Sequence, residues 1–496
     1  MEKVDLLTGL PGFRDYYPEF WNEINFILTK MRETSLKFGY QEYEGPSLER
    51  VALIEAKSGE GIIKEIFELT DRYNNRLLLR PEQTPTLSRM LAKEQQRYKR
   101  PMRWFSIPRL FRDETVQKGR VREFWQLNVD ILGEDSISAD AEIIAVAAQI
   151  INACGIDYDK FTIYVNHRQL LNVFLRSVTD IEPAKIIPVI DKRLGFIQDR
   201  VEGILHDRGV SGEIAKEKAL IYRRILISSG SFKQSLMKDN MDLADLLESH
   251  EEISETVMRD QFKKLGIDKE ASHKIYTFIR SGGSPSEFFT SVDQIELSDE
   301  AEQVVESFKE MSDYLEAYGL TNNVVFDPSL ARGLDYYTGF VFEMFDATGE
   351  LVRALCGGGR YADLVEVMGG TPLSGTGFGM GETVLLELAK LRNAIPDLTP
   401  SFDVYVAPIK KKSIPKCIEL SERLKKKFSV YNNPFSWKLK RHFEAADLNN
   451  AKLTILIGPQ DIEENSVSVR LMKDGSNIKL MMDKTLETNL KKLLKS

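Results

Sequence analysis

The strongest constraint on how this chain folds lies in residues 111–133, FRDETVQKGRVREFWQLNVDILG. Side chains along a strand alternate between its two faces. A period of two from Phe124 therefore sorts Phe124, Gln126, Asn128 and Asp130 onto one face and Trp125, Leu127, Val129 and Ile131 onto the other. The apolar face asks for a core. The opposite face, with two amides and a carboxylate behind an aromatic ring, suits a small polar ligand better than bulk water. Just upstream, Arg112, Lys118, Arg120 and Arg122 crowd a segment broken by Gly119. A cation-bearing hairpin loop that feeds such a strand reads as a site for a phosphorylated substrate beside a smaller polar one. The competing reading is a solvated loop followed by an edge strand.

A chain of 496 residues is long enough for several domains. Its net charge of -8 is unevenly spread. From Ser401 onward there are 19 Lys and Arg against 11 Asp and Glu, an excess of +8 that leaves -16 for the remainder. A basic tail domain on an acidic body is compatible with a polyanionic partner, and equally with a solvated surface. Cys154, Cys356 and Cys417 are far apart and odd in number, so neither a disulfide framework nor a Cys-x-x-Cys metal site is expected. The five histidines are scattered, with no pair at zinc-helix spacing, so no metal held by protein side chains alone is expected. Residues 1–30 lack an apolar core of signal-peptide length and no run approaches a membrane span, which points to a cytoplasmic protein with no membrane partner.

In chain order, GLPGFRDYYP is turn-rich, and residues 20–38 follow with helical spacing that Gly39 stops. Residues 67–70 and 77–80 read as a hairpin across Asn74 and Asn75, with helix resuming after Pro85. Glu82 and Thr84 fall between them, either as helix-capping groups or as a carboxylate and hydroxyl for a substrate ammonium. Residues 139–153 form a clear helix and 161–165 a strand. From about 173 to 317 the pattern turns charged and helical, as in an inserted domain. Strand patterns return at VVFDPSLARGLDYYTGFVFEMF, where Arg332, Asp335, Tyr336 and Tyr337 share a Gly-bounded turn. The runs CGGGRY and GTGFGMG allow close backbone approach and positive backbone angles, read either as tight strand turns or as phosphate-binding loops. Past RNAIPDLTP, strands at SFDVYVAPI and KLTILIGPQ alternate with helices over 414–428 and 437–450, predicting a small α/β domain with a mostly parallel sheet. Lys438, Lys440 and Arg441 open its second helix as a solvated face or as phosphate contacts.

Taken together, these motifs resemble the histidyl-tRNA synthetase family of class II aminoacyl-tRNA synthetases. GYQEYEGPSLE, with Pro46, is similar to the first class II motif, residues 111–133 to the second, and CGGGRYADL with GFGMGETVLLEL to the third. LARGLDYYTG resembles the signature specific to histidine enzymes. The resemblance implies an α+β catalytic domain with a six-stranded antiparallel sheet, over 1–172 and 318–395. A helical insertion domain (173–317) and a C-terminal α/β anticodon-binding domain (401–496) accompany it. It implies ATP and Mg2+ as cofactors, and L-histidine, histidine tRNA and a second copy in a homodimer as partners. Arg112 and Arg332 would be catalytic, at the ATP α-phosphate. Glu82, Thr84 and Gln126 would hold the histidine amino group, and Asp130 and Tyr337 the imidazole nitrogens, with Tyr336 alongside and both arginines in the same set. Phe124 would stack on adenine, with Glu114, Arg120 and Arg122 contacting ATP.

Attack of a carboxylate on a phosphate brings two anions together, so such a site must neutralise charge and fix an in-line approach. Selecting histidine requires groups matched to both ring nitrogens, because a buried polar group left unpaired costs about 1 to 3 kcal/mol. One departure stands out. Class II enzymes usually carry an arginine in the third-motif helix, where this chain has Glu382, Thr383 and Val384, resembling archaeal-type variants of the histidine enzyme. Arg120 and Arg353 are the candidates for the cation at the γ-phosphate. Two alternatives to histidine ligation stay open: a non-catalytic regulatory paralogue of synthetase-like fold, and a module that senses tRNA.

Overall fold

The computed structural model describes residues 7–56, 60–116, 119–227, 230–330, 337–351, 353–435 and 438–495. Contacts divide the chain into two units, Met1–Pro396 and Asp397–Ser496.

The first unit is built on one long strand. β7 (Glu123–Leu132) pairs antiparallel with β5 (Met102–Ser106) on one side and with β12 (Gly375–Gly381) on the other. Beyond β12 follow β11 (Cys356–Tyr361), β10 (Tyr337–Asp346) and β8 (Phe161–His167). These six central strands are antiparallel throughout, as the resemblance implies. A parallel strand is added at each edge, β1 (Gln41–Glu42) on β5 and β9 (Val324–Phe326) on β8. β6 (Arg109–Phe111) folds back on the start of β7. A separate three-stranded sheet joins β2 (Leu48–Arg50), β4 (Arg76–Leu79) and β3 (Phe67–Thr70). The expected hairpin is its β3–β4 half, turned at Asn74 with φ 62°.

The apolar face of β7 does find a core. Leu127, Val129 and Ile131 are buried with Phe105 of β5, Phe378 and Met380 of β12, and Ile163 and Val165 of β8. Two helices cover them. Pro18–Lys37 begins with proline at its first turn, where the missing N–H costs nothing, and buries Ile24, Ile27, Leu28 and Met31. Gly39, at φ 82°, ends it. Ile137–Ala153 buries eleven of its seventeen residues and lies between sheet and neighbouring helices.

Register decides what the other face becomes. Across β7 and β12, Asp130 pairs with Gly377 and Asn128 with Gly379, while Val129 pairs with Phe378 on the core side. The alternation in GTGFGMG therefore lays a glycine opposite each polar residue of β7. In β11, Gly357 and Gly359 continue the same face. Both glycine runs are thus extended strands and not turns or phosphate loops. None of these glycines has positive φ. They are required by space: a Cβ at Gly377 would stand 2.2 Å from Asp130 Oδ1 and 2.6 Å from the Val129 carbonyl oxygen.

Residues 173–317, where described, are helices joined by short loops, with Gly283 in an isolated antiparallel bridge to Phe326. The helices Lys269–Ile279, Pro285–Val292 and Asp299–Ala317 add Ile275, Phe278, Phe288, Phe308 and Met311 to the main core, with Phe174 stacked on Phe278 at 3.9 Å. A separate small core gathers Ile197, Val201, Ala219, Tyr222, Leu246 and Val257. No helix among the described residues is long and apolar enough to cross a membrane.

The second unit holds a five-stranded sheet in the order β14 (Val430–Asn432), β13 (Phe402–Pro408), β15 (Ala451–Ile457), β16 (Ser466–Leu471), β17 (Asn477–Met481). Only β14, β13 and β15 run parallel; β16 and β17 are antiparallel, so the expected mostly parallel sheet is half of each. The short connection through Pro459–Glu463 returns β16 antiparallel to β15, and a hairpin at Asp474-Gly475, with Gly475 at φ 75°, turns β17 back on β16. Lys438, Lys440 and Arg441 are exposed at the start of the Leu439–Leu448 helix, while His442 is buried with Nδ1 2.9 Å from the Tyr405 hydroxyl.

Two glycines of opposite kind test this account. Gly377→Ala should cost about 1 to 3 kcal/mol, because its methyl meets backbone in a filled sheet. Gly203→Ala, in a helix with nothing within 4 Å of the added methyl, should instead raise stability by about 0.5 to 1 kcal/mol. Thermal unfolding of the two variants should move in opposite directions.

Candidate active site

On the glycine-paved face of the sheet lies a cavity of about 380 Å³. Its floor is β7 and β12, through Gln126, Asn128, Asp130, Gly377 and Gly379. Without Cβ atoms on β12, the side chains of β7 lie down over the neighbouring strand; a methyl at Gly379 would meet the Gln126 amide at 2.6 Å. The Gln126 Nε2 amide donates to Asn128 Oδ1 at 2.9 Å, which orients both. Glu343 of β10 and Tyr361 of β11 reach the same space.

The wall comes from the segment after β4. Arg80 is buried and donates to Glu44 Oε1, the Gly45 carbonyl and Gln83 Oε1 at 2.8 to 3.0 Å, fixing the path of the chain through Glu82 to Thr84. Glu82 and Thr84 are themselves buried and line the cavity. The helix Thr84–Glu94 has Gln83 at its N-cap and no capping side chain. Capping therefore does not account for Thr84: a proline in the first turn removes one donor that a cap would serve, and the hydroxyl-bearing residue is already inside the helix.

Asp130 is the most unusual group. It is 3% exposed and lies in register between Trp104 of β5 and Gly377 of β12. The Tyr361 hydroxyl donates to Oδ1 at 2.7 Å, while Oδ2 has no hydrogen-bond partner among the described residues. Burial disfavours the carboxylate and pushes its pKa up to about 7, with the Tyr361 hydrogen bond opposing the rise. A carboxyl poised this way, with one oxygen held and the other open, is suited to accept from a ligand N–H.

Arg112 stands at the edge of the cavity. Its Nε donates to the Pro81 carbonyl at 3.0 Å, and its guanidinium lies 5.3 Å from the centre of the Phe124 ring. Glu114, buried, faces both Arg112 and Arg120. Arg122 is committed elsewhere, with Nε on the Glu114 carbonyl at 3.0 Å, Nη2 3.1 Å from Asp113 and its backbone N–H on the Gly12 carbonyl. Glu114, Arg120, Arg122 and Phe124 are not among the residues lining the cavity itself. Tyr337 lines it; Arg332, Asp335 and Tyr336, like Lys118, fall outside the described residues.

Five lining residues were not singled out from the sequence: Ile62, Phe342, Glu343, Tyr361 and Phe378. Reading CGGGRY and GTGFGMG at period two, as strands, would have set Tyr361 in line with Gly357 and Gly359 and beside Gly375. The described residues contain no group of three or more His, Cys, Asp or Glu side chains that could hold a metal ion.

Comparison with known proteins agrees with this architecture. The chain is 29% identical to a histidine–tRNA ligase of Leptospira biflexa over 493 residues, covering 98% of each. It is 31% identical to that of Opitutus terrae, covering 93% of each. A crystal structure of histidyl-tRNA synthetase from a Nostoc species superposes with a TM-score of 0.70 at 21% identity, over 99% of this chain and all of the other, which establishes the shared fold. An anticodon binding domain model matches residues 403–493. The model described as Histidyl-tRNA synthetase matches residues 12–189 and 235–384, so the chain belongs to the histidyl-tRNA synthetase family.

Proposed function

We propose that the cavity binds L-histidine and the magnesium complex of ATP, joins them as histidyl-adenylate with release of pyrophosphate, and passes the histidyl group to the 3′-terminal ribose of histidine tRNA. The observation that carries this reading is the Asp130 carboxylate, buried over a glycine floor with one oxygen open, a short way along β7 from an arginine-bearing edge. Asp130 and Tyr337 bind the two ring nitrogens. Glu82, Thr84 and Gln126 receive the ammonium group, and Arg112 neutralises the α-phosphate as the carboxylate attacks. Arg332 and Tyr336 take the roles their motif implies, at the α-phosphate and beside the ring. Phe124 stacks on the adenine, and Glu114, Arg120 and Arg122 shape the loop over the nucleotide.

Magnesium enters with its substrate, carried by triphosphate oxygens and water. The basic second unit reads the anticodon, two copies of the chain pair through the first motif, and the protein works in the cytoplasm, where Cys154, Cys356 and Cys417, all buried and free, stay reduced. Against a regulatory paralogue, the chain keeps the LARGLDYYTG segment and a C-terminal part that matches an anticodon binding domain.

ATP–pyrophosphate exchange with each of the twenty amino acids, without tRNA, tests the reading: exchange should occur with histidine alone, and absence of exchange with any amino acid would refute it. Deleting residues 401–496 should leave this exchange intact and weaken aminoacylation on the order of tenfold or more. The proton on Asp130 gives a third expectation. Below about pH 7 the free pocket holds its carboxyl protonated, so kcat/KM for histidine should fall as pH drops through 7. Tyr361→Phe removes the donor that favours the carboxylate, so this limb should move upward by about one to two units, since a hydrogen bond to a charged group is worth roughly 1.5 to 3 kcal/mol. An unmoved limb would exclude Asp130 as its source.

A further inference from the structure

The Glu382–Leu391 helix follows β12 directly and begins beside the cavity, yet it offers no cation there. Its first residue, Glu382, is fully buried and bound to Arg14 at 2.5 Å; Arg14 also reaches the Thr383 hydroxyl at 3.3 Å. The charge of Arg14 is thereby neutralised. The next side chain of the turn is Val384, which points an apolar methyl at the arginine-bearing loop: a Cβ built on Gly119 would lie 3.8 Å from Val384 Cγ2. The same Cβ would lie 3.6 Å from Arg353 Cδ. The loop turn at Gly119, Val384 and the stem of Arg353 therefore meet at one point. Arg353 arrives from the connection between β10 and β11, half-buried.

We propose that Arg353 supplies the cation for the terminal phosphates of ATP, taking the position beside Gly119 that Val384 leaves uncharged. This rests on the reading of the cavity as an ATP site. Arg112 stands at the cavity edge, and Arg120, next in the chain to Gly119, sits within electrostatic reach of both Arg112 and Arg353. Burial and the like charges of Arg353 and Arg112 lower the Arg120 pKa, with Glu65 opposing. Glu114 faces Arg112 and Arg120. Arg112, Arg120 and Arg353 thus form a row of guanidiniums that starts at the cavity edge, with Glu114 facing the first two and Glu65 acting on Arg120. Holding like charges together costs free energy that a bound polyanion returns. With the α-phosphate at Arg112, the β- and γ-phosphates extend along the row toward Arg353, whose planar fork suits phosphate oxygens.

Calorimetric titration of the full-length protein with ATP and with AMP separates this from general damage, because AMP lacks the phosphates in question. Arg353→Gln should weaken ATP binding at least about tenfold and leave AMP within twofold, the loss expected for one charge-assisted contact. Arg353→Met, which keeps the stem packed on Gly119, should give the same pattern. ATP affinity unchanged within twofold, or ATP and AMP weakened equally, would overturn the role of Arg353. Wild-type protein that bound neither nucleotide would overturn both this inference and the ATP reading beneath it.

Discussion

The pairing of β7 with β12 is the constraint on which the rest of the first unit depends. Its register places Asp130 opposite Gly377 and Asn128 opposite Gly379, and thereby turns half of a sheet into the floor of a cavity. A slip of one residue would bring Phe378 and Met380 against the polar residues and leave Val129 facing the ligand space. Register is held from the core side as well. Arg360, on the strand beside β12, is buried and bonded to Asp140 at 2.9 Å, to the Ser374 hydroxyl at 3.0 Å and to the Ser136 carbonyl at 3.0 Å. That network ties the turn after β7 to both glycine strands. Breaking one partner would strand a buried guanidinium, so the network specifies position more than it adds net stability.

The glycine floor and the open Asp130 oxygen act together. Small residues let the β7 side chains lie flat, which brings the carboxylate close to the backbone of β12 and away from water. The lost solvation raises its pKa, and Tyr361 limits the rise. The site therefore spends folding free energy to hold a buried carboxyl oxygen with no hydrogen-bond partner among the described residues, an arrangement that favours a ligand able to pair it over one that cannot.

Much of this could be read from the sequence. The polar and apolar faces of β7, the hairpin that precedes Glu82, and the Pro18–Lys37 and Ile137–Ala153 helices follow from local periodicity and stop signals, and the structure has them within a few residues. What escaped was tertiary. CGGGRY and GTGFGMG looked like turns because glycine is most often read as conformational freedom, whereas here it is absence of volume, a property only the neighbouring strand reveals. Tyr361 escaped with them. The β16–β17 hairpin carried an Asp-Gly signal and clear alternation, and was hidden by the parallel pattern established just before it. Thr84 resembled a cap because a hydroxyl just before a proline is a common capping pattern, whereas the helix already begins at Thr84 with Gln83 as its N-cap.

The order of the strands also bears on how a ribosome-bound chain can fold. β7 is complete by Leu132, but its partner β12 begins at Gly375, after the whole helical segment and four other strands of the sheet order have been made. Until then β7 presents an unpaired edge, and Arg14 has no Glu382 to meet. Such distant pairing is slow to form and prone to association with other chains in the interval. The nascent first half of this protein is therefore a natural client for chaperones that shield strand edges, and its solubility during synthesis is governed by how soon residues 375–391 emerge.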